Sequence, residues 1–172
     1  MIKTVCHSQM DFIDDNAFHI EISLKKGNGI KSVEFVRSIG DTLFFIEAKS
    51  SFPNPNSSTP NPDKENKTGS ELFQEEIDKI SDKFIHSLNL YSAIEVGVIE
   101  GGFPSEYKPP KMTKLVFVVF VLVIKDFEKS RCKTVNNALG NKIRESICME
   151  KIWKPEVCVI NHKTAIKKSF AL

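Results

Sequence analysis

Apolar and polar residues alternate from Phe18 to Leu24, Lys26-Gly27-Asn28-Gly29 turns the chain, and Ile30 to Ser38 with Thr42 to Lys49 extends the pattern into an antiparallel meander. After residue 68 the period changes to that of a helix. Thr68 and Glu71 have the capping-box spacing, and Phe73, Ile77, Ile80, Phe84, Leu88 and Tyr91 recur at steps of three and four, an apolar stripe for a helix of about six turns. Leu115 to Ile124 is an unbroken apolar run rich in Val and Phe, as expected of a central strand covered on both faces. A helix between two such strands implies a right-handed parallel crossover. Val135, Leu139, Ile143 and Ile147 mark a second amphipathic helix, Glu156 to Ile160 a further strand, and Asn161 a cap for a short basic helix with Lys163, Lys167 and Lys168.

These elements predict an α/β protein with a mixed sheet, meander first and parallel crossover strand afterwards, flanked by helices. Its 172 residues, 41% hydrophobic, suit a single domain over residues 1–172. Residues 53–67, with four prolines among asparagine and serine, have almost nothing to bury and are expected to form a mobile loop. Residues 97–113, rich in Gly and Pro, are a second loop.

The net charge of +2 conceals an asymmetry: residues 1–107 hold 10 Lys/Arg against 17 Asp/Glu, and residues 108–172 hold 14 against 5. The basic end is the expected surface for a polyanion. Cys6, Cys132, Cys148 and Cys158 lack metal-ligand spacing, and the first residues lack the apolar stretch of a signal peptide. A reducing, cytoplasmic setting is expected, with the cysteines as buried small apolar groups. The Leu115–Ile124 run is too short to span a bilayer as a helix, so no membrane is expected.

The candidate chemistry lies between Glu34 and Lys49. If Gly40-Asp41 is a two-residue hairpin turn, Ile39 pairs with Thr42, and Glu34 falls opposite Glu47 and Ser32 opposite Lys49. Glu47 and Lys49, two residues apart on a strand, share a face. Two carboxylates in direct cross-strand contact repel, and a hard divalent cation removes that penalty. Asp41 is a rival acid, but its place in the turn puts it at the wrong end of the hairpin.

An acidic residue on one strand, a short hairpin, Glu-x-Lys on the next, a helix and a strongly apolar strand together resemble the PD-(D/E)xK nuclease superfamily, the restriction-endonuclease-like fold. The resemblance covers about the first two thirds of the chain. It departs from the family pattern in having Val33, not proline, before the first acid, and glutamate there in place of aspartate. It implies that Glu34, Glu47 and the carbonyl of Ala48 hold Mg²⁺ or Mn²⁺ and that Lys49 orients or activates the attacking water. The implied function is hydrolysis of phosphodiester bonds in nucleic acid, DNA being the favoured substrate. With no separate sequence-reading module, targeting would come from a homodimer or a protein partner. The alternative is a catalytically inactive subunit that keeps the fold as a protein- or nucleic-acid-binding platform, for instance in a phage-defence complex. Gln74, His86, His7, Glu95 and Trp153 are weaker candidates: Gln74 reads as an exposed first-turn residue and Trp153 as a packing anchor.

Overall fold

The computed structural model describes residues 4–20, 30–57, 67–99, 102–110 and 116–172. The chain begins with a hairpin of β1 (Thr4–His7) and β2 (Met10–Ile13), then runs through β3 (Ala17–Phe18), β4 (Phe35–Ile39) and β5 (Thr42–Lys49). The long helix α1 (Gly69–Glu95) leads to β6 (Phe117–Ile124), and α2 (Lys129–Arg144) with a π-helical turn (Cys148–Trp153) leads to β7 (Glu156–Asn161) and the short α3 (His162–Lys167). Strands β3 to β7 form one sheet in sequence order. The pairs β3/β4 and β4/β5 are antiparallel, while β5/β6 and β6/β7 are parallel. The fold is thus α/β with a mixed sheet, meander first and parallel strands after.

The Gly40-Asp41 turn behaves as its composition demands. Gly40 has a φ of +59°, which glycine adopts without the penalty of a Cβ, and Ile39 pairs with Thr42. Strand alternation then divides β5 between two cores. Leu43 and Phe45 face α1 and α2, packing with Phe84, Leu88, Phe120 and Leu139. Ile46 and Ala48 face the β1–β2 hairpin, α3 and the tail, packing with Met10, Phe12, Ala165 and Phe170. All six residues of the α1 stripe are buried, and the helix is longer than the stripe suggested, at 27 residues. Its capping box forms, with Glu71 N–H donating to Thr68 Oγ1 and Thr68 N–H to Glu71 Oε2 at 2.7 Å. Asn161 caps α3 by accepting from Thr164 N–H. Among the described residues no helix is long and apolar enough to cross a membrane.

Several expectations are corrected. The strand expected at Phe18–Leu24 ends at Phe18, Ile20 is already helical, and residues 21–29 lie outside the described residues. The strand expected from Ile30 begins only at Phe35, because Val33 N–H donates to Ser87 Oγ at 2.8 Å and Lys31 pairs with Asp82. The chain there follows α1 instead of a neighbouring strand, so Ser32 has no ladder partner opposite Lys49. Among the described residues five strands, not three, precede the long helix; the extra pair is β1–β2. Cys6 and Cys148 are exposed rather than buried, Cys6 on the outward face of its hairpin and Cys148 at the start of the π-helical turn. Ile147 lies beyond α2 and is 74% exposed. Trp153 packs against the core, as its aromatic bulk suggested. Phe103 and Tyr107, within the Gly/Pro-rich loop, also reach the core, where the Tyr107 and Tyr91 hydroxyls are 3.1 Å apart.

The Pro/Asn-rich segment is described only for residues 53–57, with residues 58–66 outside. Its described part is not idle: Gly69 N–H donates to Ser57 O, and a Cβ on Gly69 would collide with the Asn54 carbonyl and with Ser57. Helix propensity alone favours alanine over glycine by about 1 kcal/mol. Overpacking against backbone reverses that, so Gly69→Ala should destabilise the protein by about 1–3 kcal/mol in urea unfolding. A stabilised variant would mean that the 54–57 segment yields freely.

Candidate functional site

The β4–β5 ladder runs from Ile39–Thr42 to Phe35–Ile46. Glu34 is the next residue outward, in a bend, so the expected Glu34–Glu47 apposition falls one step beyond the last ladder pair. Glu47 and Lys49 stand on the α1 side of β5, at the C-terminal end of a strand parallel to β6. The glutamate is fully buried. One of its oxygens, Oε1, receives Lys83 Nζ from α1 at 2.8 Å and faces Lys49 Nζ at 3.6 Å. The other, Oε2, is buried with no hydrogen-bond partner among the described residues. Burial pushes this carboxyl up to about 7 against the pull of Lys83 and Lys49, and the negative charge of Glu34 adds to the rise.

Lys49 is held chiefly by Glu76 of α1, Nζ to Oε1 at 2.8 Å. Burial alone would lower its pKa, but the bond to Glu76 and the charge of Glu47 outweigh burial and hold it above its ordinary value. The ammonium is therefore protonated at neutral pH. It can orient a water or meet a developing negative charge.

Glu34 is engaged from the other side of the sheet. The β1–β2 turn, Ser8-Gln9, has positive φ at both residues, 49° and 61°, and its tip seats on the ends of β5 and β6. Ser8 Oγ donates to the Ala48 carbonyl at 2.9 Å, and Lys125 Nζ donates to Gln9 Oε1 at 2.9 Å. This placement brings His7 Nδ1 within 2.9 Å of Glu34 Oε2. The hydrogen bond from His7 lowers the Glu34 pKa despite partial burial, assisted by the charges of Lys83 and Lys49. The His7 ring lies against Phe35 and His19, with centroids 5.7 and 6.0 Å away, and His19 Nε2 contacts Asp14 at 2.7 Å.

The structure thus gathers Glu34, Glu47 and Lys49 and adds His7, Ser8, Glu76 and Lys83. Gln74 does not join them, since it donates to Asp78 on the exposed side of α1. Glu76, Ile80, Lys83 and Ser87 follow one another at steps of four, three and four and line one flank of the helix stripe. A buried strand carboxylate needs a cation, and the flank of the helix facing it supplies one in Lys83.

The donor set fits a hydrated cation in part. Mg²⁺ commonly needs only one or two carboxylates, the remaining positions going to water and phosphate oxygens, and the bare Oε2 of Glu47 is an available donor. The Ala48 carbonyl, the third expected ligand, already accepts Ser8. Among the described residues no three His, Cys, Asp or Glu side chains converge as a metal-binding group. No family model, curated protein or solved structure matches the chain.

Proposed function

We propose that the protein is a metal-dependent phosphodiesterase of the PD-(D/E)xK type, acting on nucleic acid, DNA foremost, as a dimer or with a protein partner. The observation that carries this reading is Glu47: a fully buried strand carboxylate with one unpartnered oxygen, and Lys49 two residues on along the same face. The order of elements supports it, with an antiparallel hairpin bearing the acids, then a helix crossover to an apolar parallel strand. Charge supports it too. Lys125 and Lys129 follow the end of β6 and Lys163 the end of β7, at the same edge of the sheet as the site. A polyanion approaching Glu47 meets them.

In this reading Glu34 and Glu47 hold Mg²⁺ or Mn²⁺, which when bound polarises the scissile phosphate. His7 keeps the Glu34 carboxylate ionised and aimed. Lys49, anchored by Glu76, donates a hydrogen bond to the attacking water and fixes its direction. Lys49→Ala should then lower cleavage by about a hundredfold or more while leaving Mn²⁺ binding largely intact, and Glu47→Ala should lose both. Cleavage of single- and double-stranded DNA and RNA with Mg²⁺ or Mn²⁺, alongside calorimetric metal binding, tests this.

One feature favours a second reading, that of a non-catalytic platform. Lys83 and Lys49 already neutralise Glu47, and Ser8 occupies the Ala48 carbonyl. Wild-type protein that binds no cation and cuts none of these substrates, alone or with its natural partner, would establish the platform instead.

A further inference from the structure

Two ammonium groups attend Glu47, and they are not equivalent. Lys49 has a second carboxylate, Glu76, at 2.8 Å, closer than its 3.6 Å approach to Glu47. Lys83 approaches Glu47 Oε1 at 2.8 Å, and its charge also acts on Glu34, ahead of that of Lys49. The Lys83 side chain is 24% exposed, so its ammonium has solvent to retreat into, whereas the Glu47 side chain is 1% exposed and cannot follow it. A carboxylate offers about four lone-pair sites on its two oxygens. Here both lysines lie at Oε1, and Oε2 is left buried and bare among the described residues. The carboxylate is neutralised in charge and under-filled in coordination. An ammonium supplies one charge to one oxygen; a dication can engage both.

We propose that Lys83 is a resident counter-ion of Glu47, and that a divalent metal binds at this carboxylate only by displacing its ammonium toward solvent. The inference rests on the metal-dependent reading of the site but adds a residue which that reading did not need. Lys83 sets the metal affinity from the opposing helix, while Lys49, tied to Glu76, stays in place. Metal binding is weakened by the work of expelling a cation, and the buried carboxylate is never left without a counter-charge between turnovers.

The test is Mn²⁺ affinity by calorimetry and electron paramagnetic resonance at pH 8, on wild type, Lys83→Met, Lys83→Gln, Lys83→Arg and the Lys83→Met/Glu47→Ala double variant. Lys83→Met should bind Mn²⁺ at least about tenfold more tightly than wild type. Lys83→Arg, which keeps the charge, should stay near wild type, and the double variant should bind none. Should Lys83→Met prove too unstable, Lys83→Gln, whose amide can still donate to Glu47, should show the same tightening in smaller measure. Wild-type binding with unchanged or weaker affinity in the neutral variants overturns the displacement proposal and leaves the metal-dependent reading standing. No binding by any form overturns both. Binding by the neutral variants alone overturns displacement, because it shows that the metal cannot expel Lys83 from the wild-type site.

Discussion

Glutamine in place of Glu47 should abolish metal-dependent cleavage and, in metal-free buffer at pH 8, make the protein more stable than wild type. Burial raises the Glu47 carboxyl from the ordinary 4.5 to about 7 in the folded chain. The folded state therefore holds this proton more tightly than the unfolded state. The resulting stability is fully present below pH 4.5 and is lost as pH rises through about 7. At 1.36 kcal/mol per pH unit the loss reaches about 3 kcal/mol, and the site is buried enough that solvent does not dilute it. A neutral amide of the same shape has no proton to lose, and the partly exposed Lys83 can turn to water. The difference between variant and wild type, from urea unfolding in EDTA, should therefore grow across pH 4.5 to 8 and level off above. Glu34, whose pKa is lowered, works in the opposite sense: its stabilisation is present above pH 4.5 and is lost as pH falls further. It is common to both proteins and largely cancels in the difference. A flat difference across this range would show that Glu47 is ionised throughout, its burial fully offset by Lys83 and Lys49.

Phe120→Ala should be the most damaging single truncation, at about 3–5 kcal/mol. Phe120 is fully buried in β6, the strand flanked by parallel neighbours on both sides. Its ring stacks on Phe84 of α1 at 4.7 Å and 13°, and meets Phe45 of β5 nearly edge-on at 5.7 Å and 89°. Removing it opens a cavity between helix and sheet and forfeits two aromatic contacts worth about 0.5–1.5 kcal/mol each. Lys83 adjoins Phe84, so the grip of α1 on Glu47 should weaken with it. The urea midpoint and its slope measure the loss; a cost below about 1.5 kcal/mol would mean that α1 collapses into the gap and that the helix–sheet spacing is soft.

The β4–β5 register, the α1 stripe and the caps at Thr68 and Asn161 were legible because each is set by residues close in sequence. The turn at Gly40-Asp41 imposes its pairing, and a stripe at steps of three and four has only one helical face. The site was half legible for the same reason. Glu47 and Lys49 belong to one strand and had to share a face, whereas Lys83, Glu76 and His7 reach them from α1 and from the N-terminal hairpin. Nothing local in Lys83 separates it from the other lysines of the chain; its role follows only once the helix lies over β5. The β1–β2 hairpin is not legible in the sequence because its turn, Ser8-Gln9, is built from residues that seldom adopt positive φ. Glycine or asparagine there would have announced it. The late start of β4 was hidden likewise, since a serine on a distant helix takes the N–H of Val33.

The hairpin that carries His7 finds its cover at the far end of the chain. Ile13 N–H donates to Phe170 O at 3.0 Å, Leu172 N–H to Asp11 O at 2.9 Å, Phe12 bridges to Ala171, and Arg37 reaches Ser169 O. On a ribosome adding roughly 5–20 residues per second, on the order of ten seconds separate the emergence of β2 from that of its partner segment. Over that interval Phe12 and Met10 have no tail to lie against. The hairpin that aims His7 at Glu34 thus gains its last backbone partners from residues 169–172, which are made long after both. A released chain ending before residue 169 should therefore hold its sheet and α1 while leaving the His7 hairpin open to proteolysis.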